Sequence, residues 1–71
     1  MKTGDRVMIR FEGQSVQGKV ELASGNGASL MLAFEAVLGG YVGMMPVIRE
    51  GDGPLYLDLI HGKPVTVERM S

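Results

Sequence analysis

The stretch that decides the fold is Arg6-Val7-Met8-Ile9-Arg10-Phe11-Glu12-Gly13-Gln14-Ser15-Val16-Gln17-Gly18-Lys19-Val20-Glu21-Leu22. Val7, Ile9 and Phe11 alternate with Arg6, Met8, Arg10 and Glu12, which is the period-two signature of a half-buried strand. Beyond Gly13, Val16, Gly18, Val20 and Leu22 alternate with Gln17, Lys19 and Glu21 in the same way. A Gly13-Gln14 turn of type II′ predicts a hairpin with Phe11 opposite Val16, Ile9 opposite Gly18, Val7 opposite Val20 and Arg6 opposite Glu21. Apolar side chains then meet on one face and opposite charges on the other.

Working outward, Gly25-Asn26-Gly27 reads as a three-residue turn with Gly27 in the left-handed region. That turn sets Leu22 opposite Leu30, Val20 opposite Leu32 and Gly18 opposite Phe34, keeping one coherent core face. Gly18 then lacks a side chain where Ile9 and Phe34 converge, which permits the sharp bend that small barrels need. Residues 30–38 mix helix formers with a strand-length apolar run, and Leu30, Phe34, Val37 and Leu38 could share a helical face. Nine residues without an N-cap make a marginal helix, so a strand over 29–35 is expected, with room for a short turn before Gly39-Gly40. Further strands are expected over 41–48, 55–60 and 65–69, with Pro46 and Pro64 at edges, strand starts or bulges. Within 55–60, Leu55, Leu57 and Leu59 alternate with Tyr56, Asp58 and Ile60. The expectation is an all-β chain: one SH3-like small barrel of five or six antiparallel strands over 1–71.

Composition bounds the function. The 71 residues carry 7 basic and 8 acidic side chains, a net charge of −1. No strong field gathers nucleic acid or an anionic membrane. With no Cys there is neither a disulfide framework nor a thiolate metal site. No apolar run reaches spanning length, so a soluble, cytoplasmic protein without membrane partners is expected. A core this small rarely supplies more than about 5 kcal/mol, which makes self-association a reasonable expectation.

Enzymatic chemistry finds little footing. His61 is the sole histidine, its nearest acids in sequence are Asp58 and Glu68, and no serine sits on a nucleophile elbow. One His and scattered carboxylates give no metal-ligand spacing, and Gly25-Asn26-Gly27 lacks the βαβ context of a dinucleotide loop. No catalytic residue, metal or cofactor is expected, and His61 reads as a solvated turn residue.

Gly13-x-x-Val16-x-Gly18-x-Val20, together with the small-residue loop before Ser29-Leu30-Met31-Leu32, resembles the first motif of the Sm-like RNA-associated proteins. Ile60-His61-Gly62 with Val65 and Val67 resembles their short second motif. The resemblance nominally spans residues 7–67 and implies a strongly bent barrel and a tendency to form rings. The family's uridine-site residues are absent: Ser24 stands at the acidic position, Ala28 or Ser29 at the asparagine position, and His61 at the arginine position. Standard uridine binding is therefore not expected. Gly4-Asp5-Arg6-Val7 is equally similar to generic SH3-like or KOW-type barrels.

The most unusual composition is Gly39-Gly40-Tyr41-Val42-Gly43-Met44-Met45-Pro46-Val47-Ile48, ten residues without a charge. As a strand it places Tyr41, Gly43, Met45 and Val47 on one face and Val42, Met44, Pro46 and Ile48 on the other, and one small core cannot hold both. Met8 and Met31 also fall opposite the expected core. A homo-oligomer contacting through Met8, Met31, Tyr41, Val42, Met44, Met45 and Ile48 would cover the second face. A bulge at Pro46 turning Met44 and Met45 both inward is the alternative. A different function is weak single-stranded nucleic-acid binding through Arg10, Lys19 and His61, with Arg6 offset by Glu21. Tyr41 and Tyr56 could also flank a groove for a small ligand or peptide.

Overall fold

The computed structural model describes residues 1–51 and 53–70. Six strands follow one another in the chain: β1 (Arg6–Phe11), β2 (Gln14–Ala23), β3 (Ser29–Leu38), β4 (Tyr41–Arg49), β5 (Leu55–Asp58) and β6 (Pro64–Arg69). Each pairs antiparallel with the next, and β6 returns to β1 to close a small SH3-like barrel. The run 30–38 is strand throughout, because its pairing with β4 extends to Leu38 at the Gly39-Gly40 turn.

Inward side chains make the core. Val7, Ile9, Val20, Leu32, Leu38, Met45, Val47, Val65 and Val67 are fully buried, with Phe11, Leu30, Phe34, Tyr41 and Tyr56 nearly so. The bend at Gly18 is where the wall closes on itself. A Cβ there would lie 2.9 Å from Ile9 Cδ1, 3.3 Å from Phe34 Cβ and closer still to the Ala33 carbonyl oxygen. No residue with a side chain fits that approach.

Three local details differ from the sequence reading. The first hairpin turns at Glu12-Gly13, both with positive φ (52° and 76°), as in a type I′ turn. Its register therefore slides by two residues, setting Ile9 opposite Val16, Val7 opposite Gly18 and Arg6 opposite Lys19. A two-residue slide preserves every face, so the core is unchanged, but the expected Arg6–Glu21 pair is lost. In the second hairpin, Gly18–Phe34 and Val20–Leu32 pair as expected. A bulge between Val20 and Leu22 then sets Leu22 opposite Met31 and Ala23 opposite Leu30. The extra residue reverses the alternation: Ala23 packs against the core and Leu22 is 66% exposed. The fifth strand ends at Asp58 rather than at residue 60, with Tyr56 and Asp58 facing inward and Leu55 and the following Leu59 exposed.

Candidate functional site

The outer surface of β3 and β4 is largely apolar, interrupted on β3 by the exposed Glu35 and Ser29. Successive pairings lay Leu22 of β2 beside Met31 of β3, and Met31 beside Pro46 of β4. The Leu59 N–H donates to the Pro46 carbonyl at 3.1 Å and brings a fourth apolar residue into the row. These side chains border a shallow hollow of about 390 Å³ whose lining includes Leu30 and Val47. The neighbouring rows add Ala33 with Met44, Val37 with Val42 and Ser29 with Ile48. Val42 is 76% exposed, and Val37, Met44, Ile48 and Ile60 are exposed as well. A patch of this kind is uncommon on a monomer and commonly marks an interaction surface.

Of the residues expected at a self-association surface, the structure brings Met31, Val42, Met44 and Ile48 together on this face. Tyr41 and Met45 are corrected: strand alternation sends both inward, where they are core residues and offer no contact surface. Met8 is also corrected, since it lies between Gln17 and Glu68 on the far wall. The alternative with both Met44 and Met45 inward does not hold, because no reversal of alternation separates them. Of the groove expected near Tyr41 and Tyr56, the structure shows both rings buried and a hollow of about 430 Å³ that Tyr56 lines with Met1, Arg49 and Glu68, without Tyr41. Leu22, Val37 and Leu59 join the patch without having been anticipated. Leu22 follows a register shift that sequence alternation does not reveal, whereas Val37 keeps the outward phase of Met31 and Ala33 and lies beyond the strand expected over 29–35.

The three residues expected to contact nucleic acid, Arg10, Lys19 and His61, are not brought together. Arg10 is ion-paired with Glu68 on β6. Lys19 lies opposite Arg6 at the other end of the β1–β2 ribbon, whereas Arg10 lies opposite Ser15 near its turn. His61 belongs to the β5–β6 turn, its Nδ1 3.2 Å from Asp58 Oδ2.

Asp58 organises that turn. It is 1% exposed, accepts a 2.6 Å hydrogen bond from the Tyr41 hydroxyl, and accepts backbone N–H donors from His61 at 2.8 Å and Lys63 at 2.6 Å. Burial alone would push its carboxyl up. The Tyr41, His61 and Lys63 hydrogen bonds and the nearby imidazole outweigh that and lower it from 3.8 to about 2. Burial, reinforced by the Asp58 charge, raises the Tyr41 phenol. Phe11 packs edge-on against Tyr41 at 6.1 Å, and Tyr41 against His61 at 6.2 Å. Lys63 Nζ reaches Glu12 Oε1 at 2.8 Å, joining the turn to the first hairpin, and this pairing raises the Lys63 ammonium. With its acceptor sites taken by these donors, Asp58 reads as a structural anchor rather than a free base.

Among the described residues no three His, Cys, Asp or Glu side chains gather as a metal site, and no helix is long and apolar enough to cross a membrane. Searches for a matching family model, curated protein or solved structure find none.

Proposed function

We propose that this barrel is a non-enzymatic assembly module that self-associates through the outer face of β3 and β4. The observation that carries it is the row Leu22–Met31–Pro46–Leu59, continued by Ala33, Met44, Val42 and Val37, apolar side chains from four consecutive chain segments set side by side. Folding needs these strands to be apolar on their inner face only. An outer face of the same character gains free energy when a partner removes it from water, at about 25 cal/mol per Å². Methionine suits such a contact because its unbranched side chain adapts to a facing surface.

Light scattering after size exclusion tests the proposal. The chain is expected to run as a dimer or larger assembly, and Met44→Glu to shift it to monomer without changing its circular dichroism. Met44 is 47% exposed, so the charge is solvated in the monomer and buried only in the assembly. A wild-type chain that stays monomeric at high concentration would contradict the proposal.

A further inference from the structure

Where β2 parts from β3 the outer wall carries a second feature. The β2–β3 ladder ends at the Gly18–Phe34 pair, and beyond it β2 stays beside β1 while β3 stays beside β4. A hollow of about 660 Å³ lies over the place where the two ribbons part. Its floor is apolar, built from Val16, Ala33, Phe34 and Ala36, and Gly18 and Gly43 keep it open by adding no side chain. Small-molecule sites have this size and this make-up, apolar with a few polar groups to fix orientation.

The β1–β2 side of the hollow is cationic. Arg6 and Lys19 sit directly opposite each other and both line it. Their strand neighbours Val7 and Val20 are fully buried, so alternation turns both cations outward. The two-residue slide of the first hairpin makes this pair, in place of the Arg6–Glu21 pair that alternation predicts. Like charges directly opposite each other cost a strand pair stability. Arg10 and Lys63 find carboxylates in Glu68 and Glu12, but among the described residues neither Arg6 nor Lys19 is ion-paired. Glu35 lines the hollow from β3 and forms no ion pair with either cation.

We propose that this hollow binds a small organic anion, a carboxylate or phosphate ester on an apolar body. The anionic head lies between the Arg6 guanidinium and the Lys19 ammonium, and the body lies over Ala33 and Phe34. Arg offers a planar fork of donors that matches a carboxylate or phosphate, and Lys adds a compact charge. An anion between the two cations also relieves their mutual repulsion. Glu35 repels the head from the β3 side, which sets the ligand's direction in the hollow. The cations that carry this site belong to the β1–β2 ribbon, so it stands apart from the self-association proposed above.

Amide NMR titration of the full chain, at one fixed protein concentration, tests this with phenyl phosphate, phenylacetate, inorganic phosphate and benzylamine. Saturable shifts at Gly18, Ala33 and Phe34 are expected with an aryl anion, and the tighter of the two identifies the head group. Inorganic phosphate is expected to bind about tenfold more weakly for want of an apolar body, and benzylamine not at all. Lys19→Gln is expected to weaken binding about tenfold, Arg10→Gln to leave it unchanged and Glu35→Gln to tighten it. All three side chains are exposed, so the fold is retained. No saturable shift with either aryl anion would overturn the proposal. Equal losses in Lys19→Gln and Arg10→Gln would reduce it to net charge, and weakening by Glu35→Gln would point to a zwitterion instead; either result overturns it. So would binding of a single-stranded oligonucleotide by a chain that takes neither aryl anion. A chain that binds the aryl anion while remaining monomeric would sustain this site and overturn only the assembly.

Discussion

The two sides of the barrel wall bury the same kinds of residue and present opposite surfaces. Inward, β1 and β6 contribute Val7, Ile9, Phe11, Val65 and Val67, and β3 and β4 contribute Leu30, Leu32, Met45 and Val47. Outward, the β6–β1–β2 side carries Arg6, Arg10, Gln17, Lys19 and Glu68 around Met8 and Thr66, whereas the β3–β4 side carries Met31, Ala33, Val37, Val42 and Met44 with Glu35 among them. Closing a barrel requires the inner pattern alone. On the assembly proposed above, the outer difference reflects what each side meets outside the fold: water on one, another apolar surface on the other.

Gly18 is where the two sides join, since β2 leaves β1 there and passes under β3. Gly18→Val breaks that junction and carries the largest expected effect. Its added atoms collide with the Ala33 carbonyl, which is backbone and cannot turn aside, so a loss of about 3 kcal/mol is expected in urea unfolding. An unchanged midpoint would mean the bend is not fixed by close approach at this residue.

Asp58 sharpens the comparison at the barrel's end, where it holds Tyr41 of β4 and the turn that Lys63 ties to the first hairpin. Its folded-state carboxyl sits at about 2, below the ordinary 3.8, so it stabilises the fold fully above about pH 4. As pH falls from about 4 through about 2 that contribution, about 2 kcal/mol, is lost. Asp58→Asn is expected to lower stability at neutral pH and to flatten this acid limb in thermal unfolding. A variant with the same acid limb as the parent chain would place the titration elsewhere.

Much of the architecture was legible before any coordinates. Alternation in 6–20 gave the faces, Gly25-Asn26-Gly27 marked the second turn, which extends to Ala28 before Ser24 bonds to Ser29, and Gly18 gave the bend. Most of the missed details share one cause, which is that alternation assumes uninterrupted pairing. Glu12 adopts a positive φ that propensity assigns to Gly or Asn, which moved the first turn by a residue. The bulge after Val20 brought Leu22 to the surface, and Val37 was missed because β3 runs on to Leu38, past residue 35 where the strand was expected to end. The candidate surface was half legible for the same reason. The uncharged run 39–48 marked the strand, but only alternation counted from a fixed register separates Met44, outside, from Met45, inside. Asp58 was noted only as a neighbour of His61, because the hydroxyl that meets it comes from 17 residues away.

The smallest effect is also the most direct test, because it compares the two sides within one molecule. Methyl signals of Met44 and Met8 report solvent access on the apolar and charged walls when a soluble paramagnetic agent is added. On going from dilute to concentrated protein, Met44 is expected to become shielded while Met8 is unchanged. Equal access for Met44 at both concentrations would contradict the claim that the β3–β4 surface is made to be covered.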